Sequence, residues 1–179
     1  QEEEIRNAVQ SVVVRRGKID CLINCPDYPL RGAFPDITAQ EWDDCVALNL
    51  TAVFMTCKHV AAAMIGRRAG AIINISSDAA KMGALNGAAY AVAKAGLMAF
   101  SKSLAREVAG SGVRVNVISV GMMDGETTAL GADAGMGDLL LKRAGKWEDA
   151  AHLAACLLED RSSYLTGQTV HVNGGLYMP

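Results

Sequence analysis

The chain has 179 residues, 51% of them apolar and 20% charged, with a formal net charge of −2. That length suits one domain over 1–179 with a buried core, and the charge gives no electrostatic reason to expect nucleic acid or an anionic membrane as partner. Five cysteines with no CxxC pair or Cys/His cluster argue against a metal site, and point to reduced core thiols in a cytoplasmic protein.

The chain starts at Gln1 and enters a helical pattern at once: Glu2-Glu3-Glu4-Ile5, then Val9, Val12 and Val13 on one side. No targeting signal is visible there, although a missing beginning would hide one. Residues 21–24 read as a first strand. Thr38-Ala39-Gln40-Glu41 has the form of a capping box and predicts a helix to about Gly66. Within it the apolar stretch 45–65 is interrupted by Asn49, Lys58 and His59, which argues against a membrane span. Residues 71–76 predict a strand buried on both faces. A helix from about Gly87 to Gly110 follows, with Gly110 and Gly112 as its stop. Residues 113–118 are the third strand, and the glycine-rich stretch 121–137 predicts a mobile loop or lid. Residues 147–159 are again helical and 168–172 form the last strand. Trp42 and Trp147, in first helical turns, read as packing residues; His59, His152 and His171 share no motif and read as surface or helix-face residues. Strand–helix alternation of this kind predicts parallel β-α units in a three-layer α/β sheet. Ligands then bind beyond the carboxyl ends of the strands, where Ser77 stands and Gly121 follows.

Ser77, Tyr90 and Lys94 are the chemically informative set. Tyr90 and Lys94, four apart on a helix, share one face. A free phenol titrates at about pH 10. An ammonium held close favours the phenolate and makes Tyr90 usable as a general acid/base. A serine hydroxyl at a neighbouring strand end then holds a substrate oxygen. The three together outline a carbonyl/alcohol site.

With Asn49 in Leu48-Asn49-Leu50, these residues resemble the short-chain dehydrogenase/reductase family in its compact form. The likeness extends through Gly70-Ala71-Ile72-Ile73-Asn74-Ile75-Ser76-Ser77, Ser103-Leu104-Ala105-Arg106-Glu107, Val113-Arg114-Val115-Asn116, and the ending Leu165-Thr166-Gly167-Gln168 with Val172-Asn173-Gly174-Gly175. The branch it looks most like is the 3-oxoacyl-acyl-carrier-protein reductases. The resemblance implies a Rossmann-like parallel sheet and a hydride supplied by NADP or NAD. It implies catalytic roles for Asn49, Ser77, Tyr90 and Lys94, with Tyr90 the acid/base, Ser77 on the substrate carbonyl, Lys94 on the nicotinamide ribose and Asn49 anchoring a relay water. Asn24, Tyr90, Lys94 and Gly121 are the implied cofactor contacts. A small carbonyl/alcohol substrate and a homo-dimer or homo-tetramer are the implied partners. Small residues Ala88, Ala89, Ala93 and Gly96 on the Tyr90 helix suit such an interface, or simply core packing.

The sequence also departs from the family. The turn that resembles Asn-Asn-Ala-Gly reads Asn24-Cys25-Pro26-Asp27 and falls so early that the first strands and the glycine-rich dinucleotide loop have no place before it. Asp27 reads as a turn residue facing solvent, or as a charge repelling a cofactor phosphate. Asp27 and Asp78 are not placed together by anything in the sequence. Gly131, Gly135 and Gly137 have the family's glycine spacing but follow no strand, and read as flexible loop. Val120-Gly121 replaces Pro-Gly, and Thr127 or Thr128 substitutes for the usual threonine only if the loop shifts. These 179 residues alone are therefore expected to be inactive or nearly so. Pro26, Asp27 and Val120 also motivate a different reading, a degenerate non-catalytic member acting through its oligomer interface. An epimerase or dehydratase of the extended branch is disfavoured by the ending at Gly174-Gly175.

Overall fold

Four strands lie parallel and side by side in sequence order in the computed structural model, which describes residues 1–125 and 136–179. They are β1 (Cys21–Asn24), β2 (Gly70–Ser77), β3 (Val113–Val120) and β4 (Thr169–Val172). The helices are α1 (Glu2–Arg16), α2 (Ala39–Val46), α3 (Ala52–Arg67), α4 (Ala79–Met82), α5 (Ala88–Val108) and α6 (Trp147–Leu158). The architecture is the expected Rossmann-like α/β sheet with helices on both faces.

Alternation along the strands builds the layers. Ile72, Val113 and Val115 pack with Val53, Val60, Met64 and Leu97 of α3 and α5. Their neighbours Ile73, Ile75, Ile118 and Val120 face the other way, against Ala150, Ala154 and Leu157 of α6. Every interior residue of β2 is buried, as its apolar run foretold. β1, by contrast, forms one rim of the sheet, and Ile23 on it is 48% exposed.

The helix opened by the Thr38–Glu41 capping box runs to Arg67, but not as one uniform α-helix. Residues 47–51 form a π-turn around Asn49, whose side-chain Nδ2 donates to Cys45 O, 2.9 Å away. An amide competing for the carbonyl four residues back is the kind of local bond that bends a helix. The continuous rod 39–67 is long and apolar enough by composition to cross a membrane, yet Cys45, Val53, Cys57, Val60 and Met64 belong to the buried interior here. Gly96 of α5 meets this bend: a Cβ there would lie 2.9 Å from Leu50 Cδ2, so the small-residue face of α5 serves close packing within the chain.

A polar seam crosses the core. Asn24 Nδ2 donates to Asn74 Oδ1 at 2.8 Å and to Cys57 Sγ at 3.3 Å, and Asn74 Nδ2 donates to Ser101 Oγ at 2.8 Å. It joins β1, β2, α3 and α5 with its members satisfied, which is the condition for a buried network to favour one packing. Arg114 ties the far end of the sheet, its guanidinium donating to the carbonyls of Leu157, Leu158 and Glu159 at the end of α6.

Some sequence expectations need correction. Only Cys45 and Cys57 are buried; Cys21, Cys25 and Cys156 are exposed, because β1 is a rim strand and Cys156 sits on the outer side of α6. Trp42 and Trp147 are 37% and 42% exposed, so each packs over only part of its surface. Much of the expected loop lies outside the described residues, Thr127, Thr128, Gly131 and Gly135 included.

Candidate active site

The strands do not end level, and the offset builds the site. Asn24, last in β1, pairs with Asn74, three residues short of Ser77 at the end of β2. The chain leaving β1 therefore continues over the strand ends as the unpaired segment Cys25-Pro26-Asp27-Tyr28. Pro26 has no N–H for a ladder, which suits a strand stopping there.

Ser77 is half-buried, and its Oγ accepts from Ala79 N at 3.2 Å. Ser76, pointing to the opposite face, donates to the Lys94 carbonyl at 3.0 Å and so fixes α5 against β2. Tyr90 lies in the first turn of α5, with Lys94 one turn on and its Nζ 5.3 Å from the centre of the phenol ring. Lys94 is 2% exposed; its ammonium donates to the carbonyl of Pro26 and, at 3.4 Å, to that of Ile75. Burial of that cation is offset by these bonds.

Asn49 meets the same segment from the other side. Its Nδ2 donates to Tyr28 O at 2.9 Å, and its Oδ1 accepts from Tyr28 N at 3.1 Å. Between these two clamps the Tyr90 hydroxyl donates to Asp27 Oδ1 at 3.0 Å. Three residues expected at the site thus hold three consecutive residues: Lys94 holds Pro26, Tyr90 holds Asp27, and Asn49 holds Tyr28. Asp27 is exposed, as read from sequence, but it is also the phenol's partner.

Ser77, Asp27, Tyr90 and Gly121 line one cavity of about 360 Å³ beyond the strand ends, with Leu30 and Met82 among its apolar walls. Gly121 N donates to Val172 O at 3.0 Å, and a Cβ on it would come 2.7 Å from Asn173 Cβ, so no side chain fits. Asn24 is placed differently from the expectation. Its amide is spent on Asn74 and Cys57 inside the seam, away from the cavity-lining residues.

Sequence reasoning missed a second network beside Ser77. Asp78 is 1% exposed and accepts from Ser119 Oγ at 2.6 Å, His171 Nδ1 at 2.6 Å and Asn173 Nδ2 at 2.5 Å. It knots the ends of β2, β3 and β4 together. His171 is no surface residue: its side chain is 11% exposed and its ring lies 5.2 Å from that of Tyr177. The signal available was the strand period, which puts His171 and Asn173 on one face. Both Asp27 and Asp78 line the cavity, but the Asp78 oxygens are taken by the knot.

The donor set fits the nicotinamide end of a dinucleotide. A phenol and a serine hydroxyl line a cavity at the carboxyl ends of parallel strands, where such ligands bind, and a buried ammonium stands behind the phenol ring. Among the described residues no glycine-rich strand-to-helix turn stands ready for a pyrophosphate.

The chain is also similar to known proteins. The family profile described as Enoyl-(Acyl carrier protein) reductase matches residues 1–177. The chain is 40% identical over 178 residues to a 3-oxoacyl-[acyl-carrier-protein] reductase of Salmonella typhimurium, covering 97% of this chain and 73% of that protein. It is 39% identical to the protein of that name in Escherichia coli over the same shares, and 36% identical to that of Staphylococcus epidermidis, covering 98% and 74%.

Proposed function

The chain belongs to the short-chain dehydrogenase/reductase family of oxidoreductases, and from that premise we propose that its site interconverts a ketone and a secondary alcohol, with Tyr90 as acid/base. The observation that carries this reading is that Ser77 and Tyr90 line one cavity, with the buried Lys94 ammonium 5.3 Å from the centre of the phenol ring. When bound, a nicotinamide cofactor, NADP or NAD, supplies or accepts the hydride. Lys94 and Tyr90 would hold its ribose, and the backbone at Gly121 would receive its carboxamide. Ser77 Oγ donates to the substrate oxygen and orients it. Tyr90 delivers its phenol proton to that oxygen in reduction and takes it back in oxidation. Lys94 favours the phenolate through its charge. Asn49 acts through the backbone it clamps.

By analogy with the relatives' names, the substrate is a 3-oxoacyl thioester; the family likeness, not those names, motivates a cytoplasmic homo-dimer or homo-tetramer as the working unit. These 179 residues alone hold the adenine half of the cofactor poorly. The test exploits that. Reduced nicotinamide mononucleotide lacks adenine, and with a 3-oxoacyl thioester it supports slow turnover to which NADPH adds little. Tyr90→Phe lowers that rate by about 10²–10⁴-fold. Equal rates for the two proteins sink the acid/base assignment, and rapid turnover with NADPH sinks the weak-holding claim.

A second reading, a degenerate member acting through its oligomer interface, is favoured by one observation: the Lys94 ammonium and the Tyr90 hydroxyl are both engaged by residues 26–27. Turnover that depends on Tyr90 argues against it.

A further inference from the structure

We propose that Asp27 is the proton-accepting partner of Tyr90, so that the site exchanges its proton with solvent through a phenol–carboxylate pair. The inference deepens the reading above, since it takes the phenol as the group that trades a proton with substrate. Its basis is the Tyr90 hydroxyl 3.0 Å from Asp27 Oδ1, across 63 residues of sequence.

The surroundings make this a built contact. Pro26 is held through its carbonyl by Lys94, and Tyr28 is held through both its N–H and its C=O by Asn49, which is fully buried. Asp27 therefore sits in a segment fastened on both sides, and its carboxylate stays beside the phenol instead of swinging clear as a latch would. Exposure differs in the direction a relay needs: Tyr90 is half-buried, while Asp27 is open to water.

The proton step balances without any other reactant. As the substrate hydroxyl gives its proton to the Tyr90 oxygen, the phenol O–H bond breaks and an O–H bond forms at Asp27 Oδ1. Asp27 then releases the proton to water; reduction runs the same path backwards. Neither group changes oxidation state. The charged groups facing the pair come from three elements. Lys94 lies on α5 over the Tyr90 ring, Arg31 lines the cavity from the chain after β1, and Asp78 lines it from the end of β2. Asp78 is taken up by Ser119, His171 and Asn173, which leaves Asp27 as the carboxylate bonded to the phenol.

The test needs no turnover. The 179-residue chain is labelled with ¹³Cζ-tyrosine, the Tyr90 resonance is identified by its loss in Tyr90→Phe, and it is followed against pH. In the wild type the Tyr90 signal carries a step that tracks the charge on Asp27. In Asp27→Asn that step is gone, and Tyr90 loses its proton at a pH lower by about one unit or more, because an anion beside it has been removed. Circular dichroism confirms that the exposed substitution leaves the fold intact. Superimposed Tyr90 curves for the two proteins overturn the proposal. A kinetic arm with reduced nicotinamide mononucleotide separates the two claims. Turnover lost in Tyr90→Phe but with an unchanged pH profile in Asp27→Asn removes the relay and keeps the acid/base. A wild type that fails to turn over, with the Tyr90 curves still coupled to Asp27, removes the reaction and keeps the pair.

Discussion

Cys57 lies between Asn24 and Asn74, and burial pushes its thiol from 9.0 up to about 12, with those two side chains opposing the shift. Burial also raises Cys45, and it raises Cys21 although that residue is exposed, so access as well as charge state decides which thiols react. Only a thiolate is a good nucleophile. Native protein should therefore give three thiols to an aromatic disulfide reagent at about pH 8, from Cys21, Cys25 and Cys156, and all five of the chain after denaturation. Three fast thiols that fall to two in Cys25→Ser would check the assignment, whereas five fast native thiols would contradict the seam. The sign for stability follows. A raised thiol supports the fold fully below about pH 9, and that support is lost as pH climbs towards about 12. Sequence made Ser77, Tyr90, Lys94 and Asn49 legible because spacing along a helix or from a strand end is a local property. It left Asp27 between a solvent-facing turn and a repelling charge, because its bond to Tyr90 joins residues 63 apart in sequence.

Helices and strands were legible for a related reason: their periods are written in consecutive residues. β1, β2, β3 and α5 start and stop within about two residues of where turn and apolar patterns put them. The π-turn was not visible, since one asparagine bonding back to Cys45 leaves the apolar period around it intact. The end of α6 shows another element-scale feature that a local pattern hides. Its last carbonyls are answered by Arg114 from β3, more than forty residues earlier, with the Leu157 bond at 2.7 Å. Arg114→Met keeps the aliphatic stem and removes those donors. We expect a loss of about 1–3 kcal/mol in urea unfolding, since half-buried carbonyls are left without partners. Amide exchange should quicken first in residues 154–158. An unchanged midpoint would mean that water replaces the guanidinium at no cost.

At the scale of the molecule, the carboxyl end of the sheet carries the chemistry and its two faces carry the stability. The three-layer class followed from strand–helix alternation. The knot at Asp78 did not, because His171 lies 93 residues away and only folding brings it there. The rim formed by β1 has a different bearing, on how the protein behaves in a tube. A short strand with one flank unpaired by the other three, and with Ile23 half in water, is a template on which another chain can crystallise its own backbone. The charges just ahead of it, Lys18 and Asp20 with Arg67, act as gatekeepers at one end only. Light scattering should rise with protein concentration, and Ile23→Lys should suppress that rise without moving the thermal midpoint; scattering indifferent to the lysine would place the growth elsewhere. Where the lysine suppresses the rise, the strand that opens the route to the site is also the edge on which copies of these 179 residues pair.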